Sequence, residues 1–257
     1  MTTPQPRPSP DVRRARDRFV TETPWRHSAH SFSFGRHYDA GNISYGVLLA
    51  HNDEVVGAGA GFPTHPHRDM EIVTWVLQGS LVHQDSTGHC GIIRPGLAQR
   101  MSAGTGILHS ESNDAWRLLG DDAHDEPVHF VQMWVAPDGP GGTPGYEQRD
   151  VEDQLLGGGL VPVVSGMARH RRAAAAVGIG NRHVALHAAR LPPGASVQLP
   201  EAPHLHLFVA RGEVQLEGAG GLAAGDAVRL TATGGQRVTA IEPAEVLVWE
   251  MHAGLAA

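Results

Sequence analysis

The sequence predicts an all-β protein made of two antiparallel β-sandwich barrels, and three observations carry that expectation. Thirty-two glycines and eighteen prolines punctuate the 257-residue chain, which calls for many tight turns between short elements. Between those turns recur apolar, β-branched runs of strand length, while stretches at helical spacing are nearly absent. Finally, "FVARGEVQLEG" (208–218) resembles "WVLQGSLVHQD" (75–85). Each is an apolar strand, a glycine turn and an alternating strand, so a weak internal duplication points to two barrels of similar build.

In chain order, "MTTPQPRPSPDVRRARDR" (1–18) is Pro-rich and then basic, and residues 1–20 read as a flexible tail. Arg13-Arg14 is followed by no apolar segment, so an export-signal reading fails. "ISYGVLLAHND", "EIVTWVLQGSLVHQDS", "HCGIIRPG", "AQRMSAGTGILHSESN" and "VHFVQMWVAP" then supply the strands of a first domain over 21–138. "APDGPGGTPGYEQRD" (136–150) is the clearest composition break, so a second domain is expected over 139–257. It opens with a short helix near "DVEDQLLG", and the Ala-rich "RHRRAAAAVGIG" reads as a turn of helix or an exposed loop. "HVALHAARLPPGASVQLP", "HLHLFVARGEVQLEG", "GGLAAGDAVRL" and "AEVLVWEMH" repeat the strand-turn rhythm.

Composition narrows the function classes. Hydrophobic residues at 41% suffice for a core, and no apolar run has the length of a membrane span. A net charge of -7 argues against direct nucleic-acid binding, which leaves a basic footprint. The single cysteine, Cys90, cannot form an intramolecular disulfide, so a reducing, cytoplasmic setting is expected. Cys90 sits in a polar turn with no activating charge or helix terminus and reads as a bystander.

The chemistry concentrates in two short stretches. In "GFPTHPHRDMEIVTWVLQG" (61–79), His65 and His67 stand at i and i+2, and Pro66 favours the extended backbone that sends both to one strand face. In "GTGILHSESN" (104–113), His109 and Glu111 repeat that spacing. Opposing strands of one barrel would bring together three imidazoles and one carboxylate. That set suits a divalent transition metal and leaves two octahedral positions open. A closed tetrahedral zinc site from the same ligands would be catalytically idle.

These spacings resemble cupin motifs: Gly59, His65-x-His67, Glu71 and Gly79 the first, Gly106, His109 and Asn113 the end of the second. "SFSFGRHYDAGN", "HPHRDMEIVTWVLQGSLVHQDS", "RMSAGTGILHSESN" and "TPGYEQR" are similar to the pirin family, especially its bacterial quercetinase-like members, strongly over residues 25–150. The resemblance implies a bicupin of two jelly-roll barrels with one metal, in the N-terminal barrel. By motif the ligands fall on His65, His67, His109 and Glu111. Iron(II) is the expected metal, although manganese, cobalt, nickel, copper or zinc suit the same set.

Glu71 occupies the place where many other cupins supply a metal-binding glutamate. In pirin-like proteins that role passes to the later one, so Glu71 is expected to support a ligand or the structure. His83 alternates with Leu81, which leaves a cavity-facing place open to it, and reads first as a polar strand residue. His204 and His206 form another i, i+2 pair, but they stand closer to their turn glycine and no His-x-Glu follows, so a metal-free second barrel is expected.

The resemblance implies a dioxygenase that cleaves the central ring of a flavonol such as quercetin with O2 and releases carbon monoxide. Glu111 is then both ligand and catalytic proton acceptor. A second reading, shared with eukaryotic relatives, is an iron-dependent redox-sensing regulator with a protein partner. A cupin isomerase or storage-like barrel is a blander third.

Overall fold

The computed structural model describes residues 9–171 and 176–255. Two seven-stranded and two four-stranded sheets hold all of its named strands, antiparallel throughout except for one parallel pair, Val161–Ser165 with Val177–Gly178. Among the described residues no helix is long and apolar enough to cross a membrane.

The first large sheet runs, edge to edge, Gly145–Asp150, Leu97–Ser102, Glu71–Gln78, Val128–Val135, Leu48–Val56, Arg26–His30 and Phe19–Thr23. Its companion small sheet runs Gly61–His67, Ile107–Ser112, Leu81–Asp85 and Cys90–Ile93. The second barrel repeats the plan. Its large sheet is Asp11–Arg13, Ala227–Thr233, Ala202–Arg211, Ala244–Met251, Val184–Leu191, Val161–Ser165 and Val177–Gly178. Its small sheet is Ser196–Gln198, Arg237–Ala240, Glu213–Leu216 and Gly220–Ala223.

The repeated sequence stretches occupy equivalent places. In each, a strand from the middle of a large sheet turns at a glycine with positive φ, Gly79 (75°) or Gly212 (71°), and continues into the small sheet. Glycine is needed there for space as well as conformation: a Cβ on Gly212 would lie 2.2 Å from the carbonyl oxygen of Pro243.

The two large sheets face each other, and the largest apolar core lies between the barrels. Val73, Trp75 and Met133 from one side meet Leu186, Phe208 and Trp249 from the other. Polar ties cross the same seam: Trp75 Nε1 donates to Glu245 at 2.6 Å, Arg100 Nε to the Gly178 carbonyl at 2.8 Å, and Tyr45 Oη to the Leu230 carbonyl at 2.7 Å. This explains "EIVTWVLQ". A strand buried on both faces has no polar alternation to show.

Two segments differ from the expected boundaries. Residues 1–20 were expected as a tail; 1–8 lie outside the described residues, but Asp11–Arg13 pairs with the second barrel's sheet and Phe19–Thr23 with the first's. Asp226 anchors the turn between them, accepting from Arg14 Nη1 at 2.7 Å and the Ala15 amide at 2.8 Å. Gly145–Asp150, beyond the expected boundary at 139, pairs with Leu97–Ser102 and so belongs to the first sheet. The short helix is present at Glu152–Leu155. In the Ala-rich stretch, Ala168–Arg171 is helical and 172–175 lie outside the described residues.

Candidate metal centre

The small sheet of the first barrel positions the candidate residues. His65 lies opposite His109 and His67 opposite Ile107, while on the other side of that central strand Asp85 opposes His109 and His83 opposes Glu111. Directly opposed residues share a face, so all point into the barrel. The register shift opposite His109 and Glu111 puts the extra residue in Gly61–His67, between Phe62 and His65, while His109 to Glu111 stay in regular register with His83 to Asp85.

His65, His67 and His109 each present a ring nitrogen within 4.8 Å of the other two. His65 and His109 approach most closely, Nε2 to Nε2 at 3.0 Å. His65 Nδ1 lies 2.8 Å from the Pro63 carbonyl, to which it must donate. That fixes its tautomer and leaves Nε2 as a lone pair facing the cluster. Buried His67 Nε2 and His109 Nδ1 have no hydrogen-bond partner among the described residues. Three imidazoles that each bring a ring nitrogen this close to the other two are a donor set suited to a divalent transition metal.

Glu111 belongs to a second, overlapping group with His83 and His109. Both of its oxygens accept from Gln132 Nε2, at 2.9 and 2.8 Å, and Trp134 Nε1 donates to Gln132 Oε1 at 3.0 Å. The indole N–H thereby sets the orientation of the amide, and the amide sets that of the carboxylate. The four expected residues thus form one cluster built as two triads sharing His109, with Glu111 held to one side.

Electrostatics follow from burial. Desolvation, aided by His65, lowers His67 to about 4, and desolvation with repulsion from the neighbouring histidines lowers His109 to about 2. Both are therefore neutral lone-pair donors at neutral pH. Desolvation raises Glu111 to about 7 against the opposing hydrogen bonds from Gln132 and Thr74.

Other residues stand apart from their sequence reading. His83 is 1% exposed and packs 5.3 Å from the His109 ring, with Nε2 3.2 Å from Asp85 Oδ2. Its i, i+2 partnership with Asp85 was the missed signal. Gln132 and Trp134, alternating within the apolar "VHFVQMWV", were missed too; the Trp134 ring packs 4.9 Å from His67. Tyr146 caps His83 at 4.8 Å from the far side of the expected domain boundary. Glu71 points away, into the seam between barrels, where Ser102 Oγ donates to it at 2.8 Å. Of its two expected roles only the structural one fits. His206 likewise faces the seam, with its ring 5.0 Å from that of His51. Its strand corresponds to Glu71–Gln78, not to Gly61–His67. Cys90 is exposed and free.

Two cupin barrels packed back to back, one enclosing a buried histidine–glutamate group suited to a metal, define a bicupin. Residues 12–135 match the Pirin family pattern, and 170–251 match the quercetinase C-terminal cupin domain. The chain belongs to the pirin family. A Mycobacterium tuberculosis protein provisionally named quercetin 2,3-dioxygenase is 57% identical over 95% of this chain and 96% of its own length. The Escherichia coli K12 quercetin 2,3-dioxygenase is 44% identical over 138 residues, 54% of this chain and 56% of that one. The solved structure of the bacterial pirin YhhW from E. coli in complex with nickel(II) superposes with a TM-score of 0.82 at 30% identity, covering 95% of this chain and 99% of that one.

Proposed function

We propose that this protein is a metal-dependent dioxygenase of the quercetin 2,3-dioxygenase type, opening the central ring of a flavonol with O2 and releasing carbon monoxide. The observation that carries the reading is the pairing of a three-histidine donor group with a buried, hydrogen-bonded carboxylate beside it. Relatives named for this activity, one of them similar over nearly its whole length, support it.

His65, His67 and His109 would hold a divalent transition metal, with Glu111 completing the set; we assign iron(II). The nickel(II) complex of a related pirin supports the site without deciding its native metal. When bound, the metal supplies Lewis acidity that makes a coordinated hydroxyl easier to deprotonate.

The chain's own residues do the rest. Glu111 is the proton acceptor for the flavonol 3-hydroxyl, as the one carboxylate in the donor set and the one held beside the three histidines. Gln132 orients the carboxylate and Trp134 locks Gln132. Ile72 and Ile107, buried with Met101 and Ala103, keep bulk water from that wall.

The test is oxygen uptake and carbon monoxide release with quercetin, for metal-loaded wild type and for Glu111→Gln. The variant keeps the side-chain shape and is expected to lose about 100-fold or more in turnover. Metal-loaded wild type without turnover would overturn the enzyme reading in favour of a metal-binding regulator. Undiminished turnover in the variant would overturn the role of Glu111.

A further inference from the structure

Asp85 stands directly across from His109 in the small sheet, and the proposed reaction gives it no part. Its side chain has no exposed surface. Oδ1 accepts from the Thr87 amide at 2.8 Å, the Thr87 hydroxyl at 2.6 Å and the His89 amide at 3.3 Å. Thr87 thereby spends its one hydroxyl proton on Asp85, so His89 Nδ1, 2.9 Å from Thr87 Oγ1, is the donor to that oxygen. Oδ2 is left to His83, whose Nε2 lies 3.2 Å away.

Among the described residues only the two histidines, and no arginine, approach Asp85 within ion-pair distance. Burial alone would raise its pKa, but the hydrogen bonds from Thr87, His83 and His89 prevail and hold it at about 2. Asp85 is therefore an enclosed anion with no fixed cation beside it. An anion can only accept, so His83 Nε2 carries the proton of that hydrogen bond. In the neutral ring Nδ1 is then a lone pair.

His83 joins this carboxylate to the metal centre. Its ring is held between those of His109 and Tyr146, 5.3 and 4.8 Å away. It brings a ring nitrogen within 4.8 Å of donor atoms of both His109 and Glu111. A carboxylate behind an imidazole is the usual means of fixing tautomer and ring orientation around a metal, and losing it typically weakens metal binding about 10- to 100-fold.

We propose that Asp85 is a positioning residue of the metal centre, acting through His83, and that this pair raises the affinity of the site for a divalent cation. The role rests on the metal centre proposed above. The hydrogen bond fixes the His83 ring against His109 and keeps Nδ1 free of a proton, whose positive end would oppose a cation. The negative charge it lends lies beside His109 and Glu111, both buried, where attraction to a cation is weakly screened.

Cobalt(II) titration of the full-length protein, followed by visible absorption, tests this through affinity and band shape together. Asp85→Asn keeps an acceptor for the Thr87 and His89 amides but carries no charge, and its amide N–H turned to His83 reverses the His83 tautomer. It is expected to bind cobalt about tenfold more weakly or worse, with a changed spectrum at saturation. His83→Gln is expected to lose a similar factor, and adding Asp85→Asn to it is expected to cost little more. His89→Ala, which removes the exposed ring beside the same carboxylate, is expected to keep wild-type affinity and spectrum. Wild-type affinity and spectrum in folded Asp85→Asn or, should that variant not fold, in His83→Gln would overturn the assignment. So would additive losses in the double variant, or the same loss in His89→Ala. Wild type that binds no cobalt would overturn the metal centre itself, and this role with it.

Discussion

His51 and His206 show how much a histidine's meaning depends on which face of its strand is buried. Each is fully enclosed in the seam between barrels, facing the other, with Phe208 4.4 Å from His51. Desolvation, with repulsion from Arg18 and Arg229 outweighing attraction to Asp53, lowers His51 from 6.5 to about 3, and His206 is lowered well below 6.5. Both are neutral when folded and take up a proton only on unfolding. Their contribution to stability is complete above 6.5 and is lost as pH falls from there toward the folded values. His51→Phe removes one such proton. Between about pH 6 and 4.5 its stability is expected to fall less steeply than wild type's, by about 1.4 kcal/mol per pH unit, measured by urea unfolding. Equal slopes would contradict the burial of a neutral His51. Spacing alone made His65, His67, His109 and Glu111 legible, because i, i+2 pairs in strand-forming sequence must share a face. The same spacing in His204-x-His206 could not reveal that its strand turns that face toward a second barrel. Nor could the polar look of "LVHQDS" reveal that His83 and Asp85 face inward.

At the scale of the element, strands were legible wherever a glycine turn follows an apolar run. They were not legible where a strand is short and polar, as at Asp11–Arg13 and Gly145–Asp150. Those two owe their conformation to the sheet edges they join, not to their own residues. The turn glycines themselves differ in kind. Gly218 has φ 79° with nothing near its missing Cβ, whereas Gly212 has φ 71° and the Pro243 carbonyl in that place. Gly218→Ala is expected to cost about 1 kcal/mol for the left-handed backbone alone. Gly212→Ala is expected to cost about 2 kcal/mol or more, because the crossing between sheets must also shift. Denaturation midpoints at unchanged m-value measure both, and equal losses would contradict the close approach at Gly212.

At the scale of the molecule, the duplication gave two barrels, but not the fact that their largest core lies between them. The continuous apolar run at Glu71–Gln78 was the available sign, since a barrel strand open to solvent on one face would alternate. With Trp75 and Trp249 both buried in the shared core, neither large sheet is complete without the other. Thermal unfolding is therefore expected as one cooperative transition, with equal calorimetric and van't Hoff enthalpies. Two resolved transitions would show that the barrels stand independently. In the first barrel the three histidines are proposed to hold a divalent metal. Metal content per chain, measured on purified wild type and on His109→Ala after identical loading and desalting, tests it most directly. His109 belongs to both triads. One equivalent of metal in wild type and almost none in the variant, with both folded by circular dichroism, is the predicted result. A full equivalent retained by His109→Ala would contradict it.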